Sequence, residues 1–219
     1  MARIDSCYNI ADLREVARKR LPKGVFQYLD LGTEDLVALR NNRSFLDETK
    51  LLNKVLVDVS AIDTSTEILG GKAALPMAIA PTGIAGLTWH EGELELAKAA
   101  AKAGIPFTLA TGSSTAMEKI ANDAGGRLWF QLYMWADRNM SLELVNRANK
   151  SGYDALIVTV DGVVAGNREY NQRNGFSVPF AYNRRNSIDV MTHPRWLAGV
   201  LLRWRCAAAR AHTTASSSP

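Results

Sequence analysis

Leu156-Ile157-Val158-Thr159-Val160-Asp161, followed one loop later by Gly166-Asn167-Arg168-Glu169, is the stretch whose reading decides the fold. The residues ahead of the acid are apolar except Thr159 and β-branched except Leu156, a pattern that predicts a buried parallel strand delivering a polar group at its carboxyl end. Barrel and open α/β folds keep their chemistry at that end. A carboxylate placed there can orient a catalytic base, and an arginine one loop later can grip an anionic substrate. The same residues also suit a helix N-cap aspartate and a solvated arginine, so the stretch alone leaves both readings open.

Upstream the same grammar repeats. Ala78-Ile79-Ala80, Phe107-Thr108-Leu109 and Trp129-Phe130-Gln131-Leu132 predict earlier strands, with amphipathic helices between them. Glu93 to Ala103 ends at Gly104 in the helix-terminating position, Thr115-Ala116-Met117-Glu118 has capping-box spacing, and Leu142, Val145 and Ala148 stripe a third helix before Gly152. Such alternation implies a parallel sheet with right-handed crossovers, either open or closed into a barrel. Each predicted strand runs into polar residues: Pro81-Thr82-Gly83, Thr111-Gly112-Ser113-Ser114, Gln131 to Tyr133, and Thr159 to Asp161. A convergent floor of hydroxyls, an amide, a phenol and an acid suits a flat heteroaromatic ligand such as a flavin ring. No G-x-G-x-x-G follows these strands and no G-x-x-x-x-G-K-[ST] occurs, so neither a Rossmann dinucleotide site nor a P-loop is supported.

Toward the amino end, Ile10 to Leu21 reads as an amphipathic helix with Asp12 and Glu15 early and Arg18, Lys19 and Arg20 late, matched to the helix dipole. Pro22 interrupts it, Val25 to Leu29 with Gly32 predicts a second short helix, and Glu34 to Asn42 a third. Leu51 to Ile68 reads as extended, with Val55, Val57 and Val59 alternating. The 219 residues, 47% apolar and 22% charged, describe an ordinary globular chain with room for one substantial core. The net charge of +4 belongs mostly to Arg184, Arg185, Arg195, Arg203, Arg205 and Arg210, which argues only weakly for nucleic acid or an anionic membrane. Cys7 and Cys206 lack metal-type spacing and imply a reducing compartment without a disulfide framework. No secretory signal pattern opens the chain, and the apolar run Trp196 to Leu202 is too short to cross a bilayer.

With those strand ends, the chain resembles the FMN-dependent α-hydroxy acid dehydrogenases and oxidases, the group of lactate and mandelate dehydrogenases and glycolate oxidase. The matching segments are Leu21-Pro22-Lys23 with Tyr28, Ala80 to Gly83, Glu91-Gly92-Glu93, Trp129 to Tyr133, Thr159-Val160-Asp161 and Arg168. Asn41-Asn42-Arg43 and Thr192 to Trp196 resemble the bacterial dehydrogenase branch more than the plant oxidases. The resemblance implies a TIM (β/α)8 barrel carrying FMN, which oxidises a 2-hydroxy acid to the 2-oxo acid by hydride transfer to the flavin. It further implies that Pro81, Thr82, Gly83, Ala110, Gln131 and Thr159 line the cofactor. The family often has serine where this chain has Ala110, so a flavin contact there would come from main chain or from Thr111. By the same resemblance Tyr28, Tyr133 and Arg168 meet the substrate. Tyr133 and Asp161 are the expected catalytic groups, Asp161 as a buried carboxylate stabilising the imidazolium of the base.

His90, His193 and His212 follow none of the predicted strands and read as surface or packing histidines. The family's catalytic histidine, its flavin-binding lysine, a second arginine and its phosphate loops belong to later strands, so about four of the eight βα units of a barrel are expected here. Residues 1–202 read as the amino-terminal part of the domain, and 203–219, rich in Ala, Arg, Thr and Ser, as a low-complexity, disordered tail of the kind a shifted reading frame would produce. The expectation is therefore an incomplete barrel, truncated and inactive alone; its rival is a non-catalytic half-barrel that at most binds flavin or self-associates. Expected partners are a small 2-hydroxy acid, an electron acceptor (quinone, oxygen or another), and further subunits in complete relatives, but no nucleic acid and no metal. A cytoplasmic location with peripheral contact at the inner membrane is implied, through a segment spanning Trp196 to Trp204.

Overall fold

The computed structural model describes residues 4–162 and 164–203. They fall into two compact units, one formed by residues up to Lys54 together with those from Ala165 onward, the other by Val55 to Val164.

The first unit opens with α1 (Ile10–Arg20), α2 (Lys23–Asp30) and α3 (Val37–Glu48). The Asn9 side chain accepts the Asp12 N–H at the start of α1, and Arg18, Lys19 and Arg20 close it ahead of Pro22, as the dipole pattern predicts. The third helix starts later and runs further than Glu34 to Asn42, because Leu36 takes a left-handed conformation (φ 60°) that cannot be helical.

In the second unit, β1 (Thr66–Ile68) and β2 (Gly71–Ala73) form an antiparallel hairpin. The rest is βα: α4 (Gly92–Ala103), β3 (Phe107–Ala110), α5 (Met117–Ala124), β4 (Leu128–Tyr133), α6 (Arg138–Lys150) and β5 (Ala155–Thr159). The strands form one parallel sheet in the order β3-β4-β5. Ala78-Ile79-Ala80 is reduced to a single parallel bridge from Ile79 to Phe107, on the far side of β3. Of the extended reading for Leu51 to Ile68, only Thr66–Ile68 is a strand; Val55, Val57 and Val59 are exposed and pair with nothing.

The sheet has two unlike faces. Phe107, Leu109, Leu128, Phe130 and Leu132 pack against Leu94, Ala97, Ala100, Met117, Ile120, Ala148 and Tyr153 of the helical layer. Each such large side chain contributes about 1.5–3 kcal/mol by leaving water. Gly104 ends α4 in a left-handed turn (φ 67°), where an L-residue would be strained. Thr115 does not cap α5: Ala116 holds the cap position without a side-chain bond, and the Thr115 hydroxyl donates to Glu93 instead. The pattern of burial also corrects the reading of Leu156 to Val160. Among the described residues β5 is an edge strand, and Leu156 and Val158, in register with Phe130 and Leu132 on the helical face, remain 44% and 47% exposed.

The first unit is completed by α7 (Glu169–Asn174), α8 (Ser187–Met191) and α9 (Pro194–Trp196), the last running into a π-helical turn, Leu197–Leu202. Its core holds Val25, Phe26, Phe176, Val190, Trp196, Val200 and Leu201. Trp196 is fully buried against Phe180, so it belongs to this core and not to an interfacial stripe; Trp204 and the tail from that residue on lie outside the described residues.

Candidate functional site

Pairing register puts Ala110 beside Gln131, Gln131 beside Ile157 and Tyr133 beside Thr159, all on the sheet face opposite the helices. Gln131 is buried, and its amide is fixed by its partners. The Thr111 N–H donates to Gln131 Oε1 at 3.1 Å, and Gln131 Nε2 donates to Thr159 Oγ1 at 2.8 Å. A backbone N–H can only donate, so the amide oxygen must face it and the nitrogen must face Thr159. Among the described residues, neither the remaining Nε2 proton nor the Thr159 hydroxyl proton has a protein acceptor, so both can serve an acceptor on this face of the sheet.

Thr111 is the brace of this arrangement. Its hydroxyl donates to the Gln131 carbonyl at 2.6 Å and accepts the Tyr133 N–H at 3.0 Å, tying the end of β3 to β4. Both Thr111 donors are thus committed within the protein, so what Thr111 offers a ligand beside Ala110 is position more than a hydrogen bond. Thr82 and Gly83 are exposed and Pro81 half-buried, in a loop fastened to the next by the Ile84 N–H donating to the Gly112 carbonyl at 3.0 Å.

Tyr133 is half exposed at the end of β4. Asp161 is exposed rather than buried, because it lies past the end of the edge strand; the expectation of a buried carboxylate is corrected on that point. Sequence reasoning gave Glu93 no role in the site, reading it as the first residue of a helix and as part of the Glu91-Gly92-Glu93 match. It is 1% exposed and accepts hydrogen bonds from Ser114 and Thr115. The signal that could have found it is an acid in the buried stripe of an amphipathic helix, followed about twenty residues later by a run of hydroxyls.

In the first unit, Arg168 and Tyr28 are brought together from opposite ends of the chain. The Arg168 guanidinium lies 4.9 Å from the centroid of the Tyr28 ring, which packs in turn on Phe176 at 5.0 Å. The segment carrying Arg168 is pinned to the turn after α2. Asn167 N–H donates to Glu34 Oε1, Glu34 N–H donates to the Asn167 carbonyl, and the Tyr170 hydroxyl reaches the Leu31 and Gly32 carbonyls. Gly166 packs so closely on Thr33 that a β-carbon there would collide with its side chain. A guanidinium stacked on a ring keeps its N–H edge available for a carboxylate. His193 is held on α8, its Nδ1 2.7 Å from the Asp189 carbonyl, and His90 is half-buried in the turn before α4; His212 lies outside the described residues.

The model of the family described as FMN-dependent dehydrogenase matches residues 17–218. The chain belongs to the FMN-dependent dehydrogenase family. It is 41% identical over 189 residues to the (S)-mandelate dehydrogenase of Pseudomonas putida, covering 86% of this chain and 48% of that one. It is 42% identical over 195 residues to a putative L-lactate dehydrogenase of Mycobacterium tuberculosis, covering 89% and 47%. The crystal structure of the monotopic membrane protein (S)-mandelate dehydrogenase superposes with a TM-score of 0.84 at 39% identity, over 89% of this chain and 52% of that chain. The chain spans about half the length of the curated relatives it matches. The β3-β4-β5 ladder with its helical layer is accordingly part of a TIM-barrel flavoenzyme fold, without closure of the barrel among the described residues. The donor set built by Gln131 and Thr159 fits the polar edge of an isoalloxazine, whose carbonyl oxygens and ring nitrogens accept hydrogen bonds.

Proposed function

We propose that this FMN-dependent dehydrogenase chain serves the oxidation of a small 2-hydroxy acid, of the lactate or mandelate type, to the 2-oxo acid. The observation that carries the reading is the fixed Gln131 amide, oriented by Thr111 so that it and Thr159 turn two donors toward one face. FMN, when bound, supplies the hydride acceptor. Pro81, Thr82, Gly83 and Ala110 form the surface against which the ring is held, with Gln131 and Thr159 at its polar edge. Arg168, carried on the Tyr28 ring, binds and orients the substrate carboxylate, and Tyr133 holds the substrate hydroxyl; such orientation is worth a large part of a barrier. Asp161 steadies the protonated base. The electron acceptor is a quinone, oxygen or another carrier, and complete enzymes of this type assemble into homo-oligomers. Residues 1–202 form the amino-terminal part of the domain.

The test is titration of the purified chain with FMN, followed by quenching of flavin fluorescence, for wild type and Gln131→Leu. Saturable binding that weakens about tenfold or more in the variant is expected, since two hydrogen bonds are lost and the Thr159 hydroxyl is left misdirected. Equal binding by both proteins would remove the basis of the reading. A second reading, a non-catalytic half-barrel that at most binds flavin or self-associates, is favoured by the half-exposed apolar side chains of β5. Bleaching of bound flavin by lactate or mandelate under anaerobic conditions in the 219-residue chain would exclude the second reading.

Peripheral attachment to an anionic inner membrane is part of the same proposal. Ile188, Met191 and Leu202 are exposed in a segment that also carries Arg184, Arg185, Arg195 and Arg203. No helix among the described residues is long and apolar enough to cross a membrane.

A further inference from the structure

We infer that Glu93 is a positioning residue for the flavin ring, a buried carboxylate that locks together the two loops against which the ring is held. This rests on the flavin reading above and deepens it.

Glu93 lies in the first turn of α4 and is 1% exposed. Its Oε1 accepts the Ser114 N–H at 3.0 Å and the Ser114 hydroxyl at 2.9 Å; Oε2 lies 2.9 Å from that same hydroxyl and accepts from Thr115 Oγ1 at 3.0 Å. The neighbours of Glu93 on the buried face of α4 are Leu94, Ala97 and Ala100, so an apolar side chain would serve packing at least as well. What a carboxylate adds is direction. It satisfies one backbone donor and two hydroxyls at once, and the positive end of the helix dipole offsets its charge.

The bonded loop is the one that matters for the ring. Gly112 to Thr115 continues from Ala110 and Thr111, the residue that orients Gln131. The neighbouring loop leans on the same point. Ile84 N–H donates to the Gly112 carbonyl, and Gly86 passes so near Ser114 that a β-carbon there would meet Ser114 Oγ and come within 3.5 Å of Glu93 Oε2. Pro81 to Gly83 opens that loop. One carboxylate therefore sets the spacing between the Pro81–Gly83 segment and the end of β3, and through Thr111 the aim of the Gln131 amide. Glu93 touches neither ring nor substrate and acts through the loops.

The test uses the 219-residue chain, with Glu93→Gln and, as a milder variant, Thr115→Val. Amide hydrogen exchange is read across residues 111–116 and 82–87, alongside FMN affinity and the absorption spectrum of the bound flavin. In Glu93→Gln, exchange in both loops is expected to quicken about tenfold or more while α6 and β4 stay protected, FMN binding to weaken about tenfold, and the bound-flavin band to shift. Thr115→Val is expected to move each readout the same way by less, and it carries the test if Glu93→Gln does not fold. A merely structural role would lower the melting temperature of both variants without moving the flavin band at saturation, and that result overturns the inference. Unchanged exchange in both loops also overturns it. Failure of the wild type to bind FMN defeats the flavin reading itself, while the exchange data still decide whether Glu93 clamps the loops.

Discussion

Arg168 and Tyr28 show what a residue pair can owe to the fold. The sequence singles out Arg168 by its place one loop beyond a strand, but that it rests on a tyrosine from the second helix follows only from the pinning of Asn167 and Tyr170 to the turn after α2. Removing the guanidinium should cost binding of the substrate carboxylate and little stability. In FMN-loaded protein completed with the later strands of a full-length relative, Arg168→Met is expected to lower kcat/KM for lactate or mandelate by roughly 10–100-fold, the range of a charge-assisted hydrogen bond. Its thermal midpoint should fall only a few degrees, since a partly exposed cation–ring contact is worth about 0.5–1 kcal/mol. Steady-state kinetics with a dye acceptor and a thermal melt check both; an unaltered kcat/KM would separate Arg168 from the substrate. Thr111 is the counterpart that sequence reasoning half saw, as a flavin contact in place of the missing serine. Its hydroxyl is spent on β4, so Thr111→Val should destabilise the chain by about 1–3 kcal/mol through an unsatisfied Gln131 carbonyl and Tyr133 N–H, measurable by urea unfolding.

At the scale of elements, local signals located helices and strands well and their caps and edges poorly. Glycine after an apolar stripe ended α4 as expected, because a left-handed position is a property of one residue. The capping box failed because Thr115 had a tertiary partner in Glu93, and partners distant in the chain leave no local trace. Exposure of β5 was equally invisible, since an apolar run says that a strand wants cover and not whether cover is present. The tie between α5 and α6 can be tested by pH. Glu118 and Arg147 form a two-point ion pair across these helices, and the Arg147 hydrogen bonds hold the Glu118 carboxyl below its ordinary value of 4.5. A depressed folded-state value means stabilisation present above the unfolded value and lost as pH falls through the folded one. Both side chains are 44% exposed, so the pair is worth less than about 1 kcal/mol. The stability difference between wild type and Glu118→Gln, followed by urea unfolding, should therefore be constant near neutrality and vanish below the ordinary carboxylate range. A gap that widens in acid would contradict the pairing. The arginine-bearing stretch around α8 makes a separate claim: sedimentation with anionic vesicles should exceed that with neutral ones and should drop in Ile188→Asp, because exposed Ile188 and Met191 supply the apolar contact.

For the molecule as a whole, the decisive feature is that, among the described residues, one side of the sheet ends without a neighbour. β3 and β4 are buried almost throughout, whereas β5 pairs, among the described residues, only with β4, and Leu156, Val158 and, just past the strand, Val160 are exposed at 44%, 47% and 85%. An unpaired parallel edge carrying a row of branched apolar side chains is a template for another strand, and natural edges ordinarily blunt it with charge or proline. Among the described residues of β5 neither appears. The 219-residue chain by itself should therefore associate, with a weight-average mass in light scattering that rises with concentration and falls when denaturant is added below the unfolding midpoint. Val158→Lys places a charge on the helical face of the edge, where it is already half in water, so it should lower the associated fraction at little cost to folding. Charge at a similarly exposed site on another element, such as Leu39→Lys on α3, should leave association unchanged. A monodisperse monomer for the wild type, or equal relief by both substitutions, would show that the β5 edge is not what drives contact between chains.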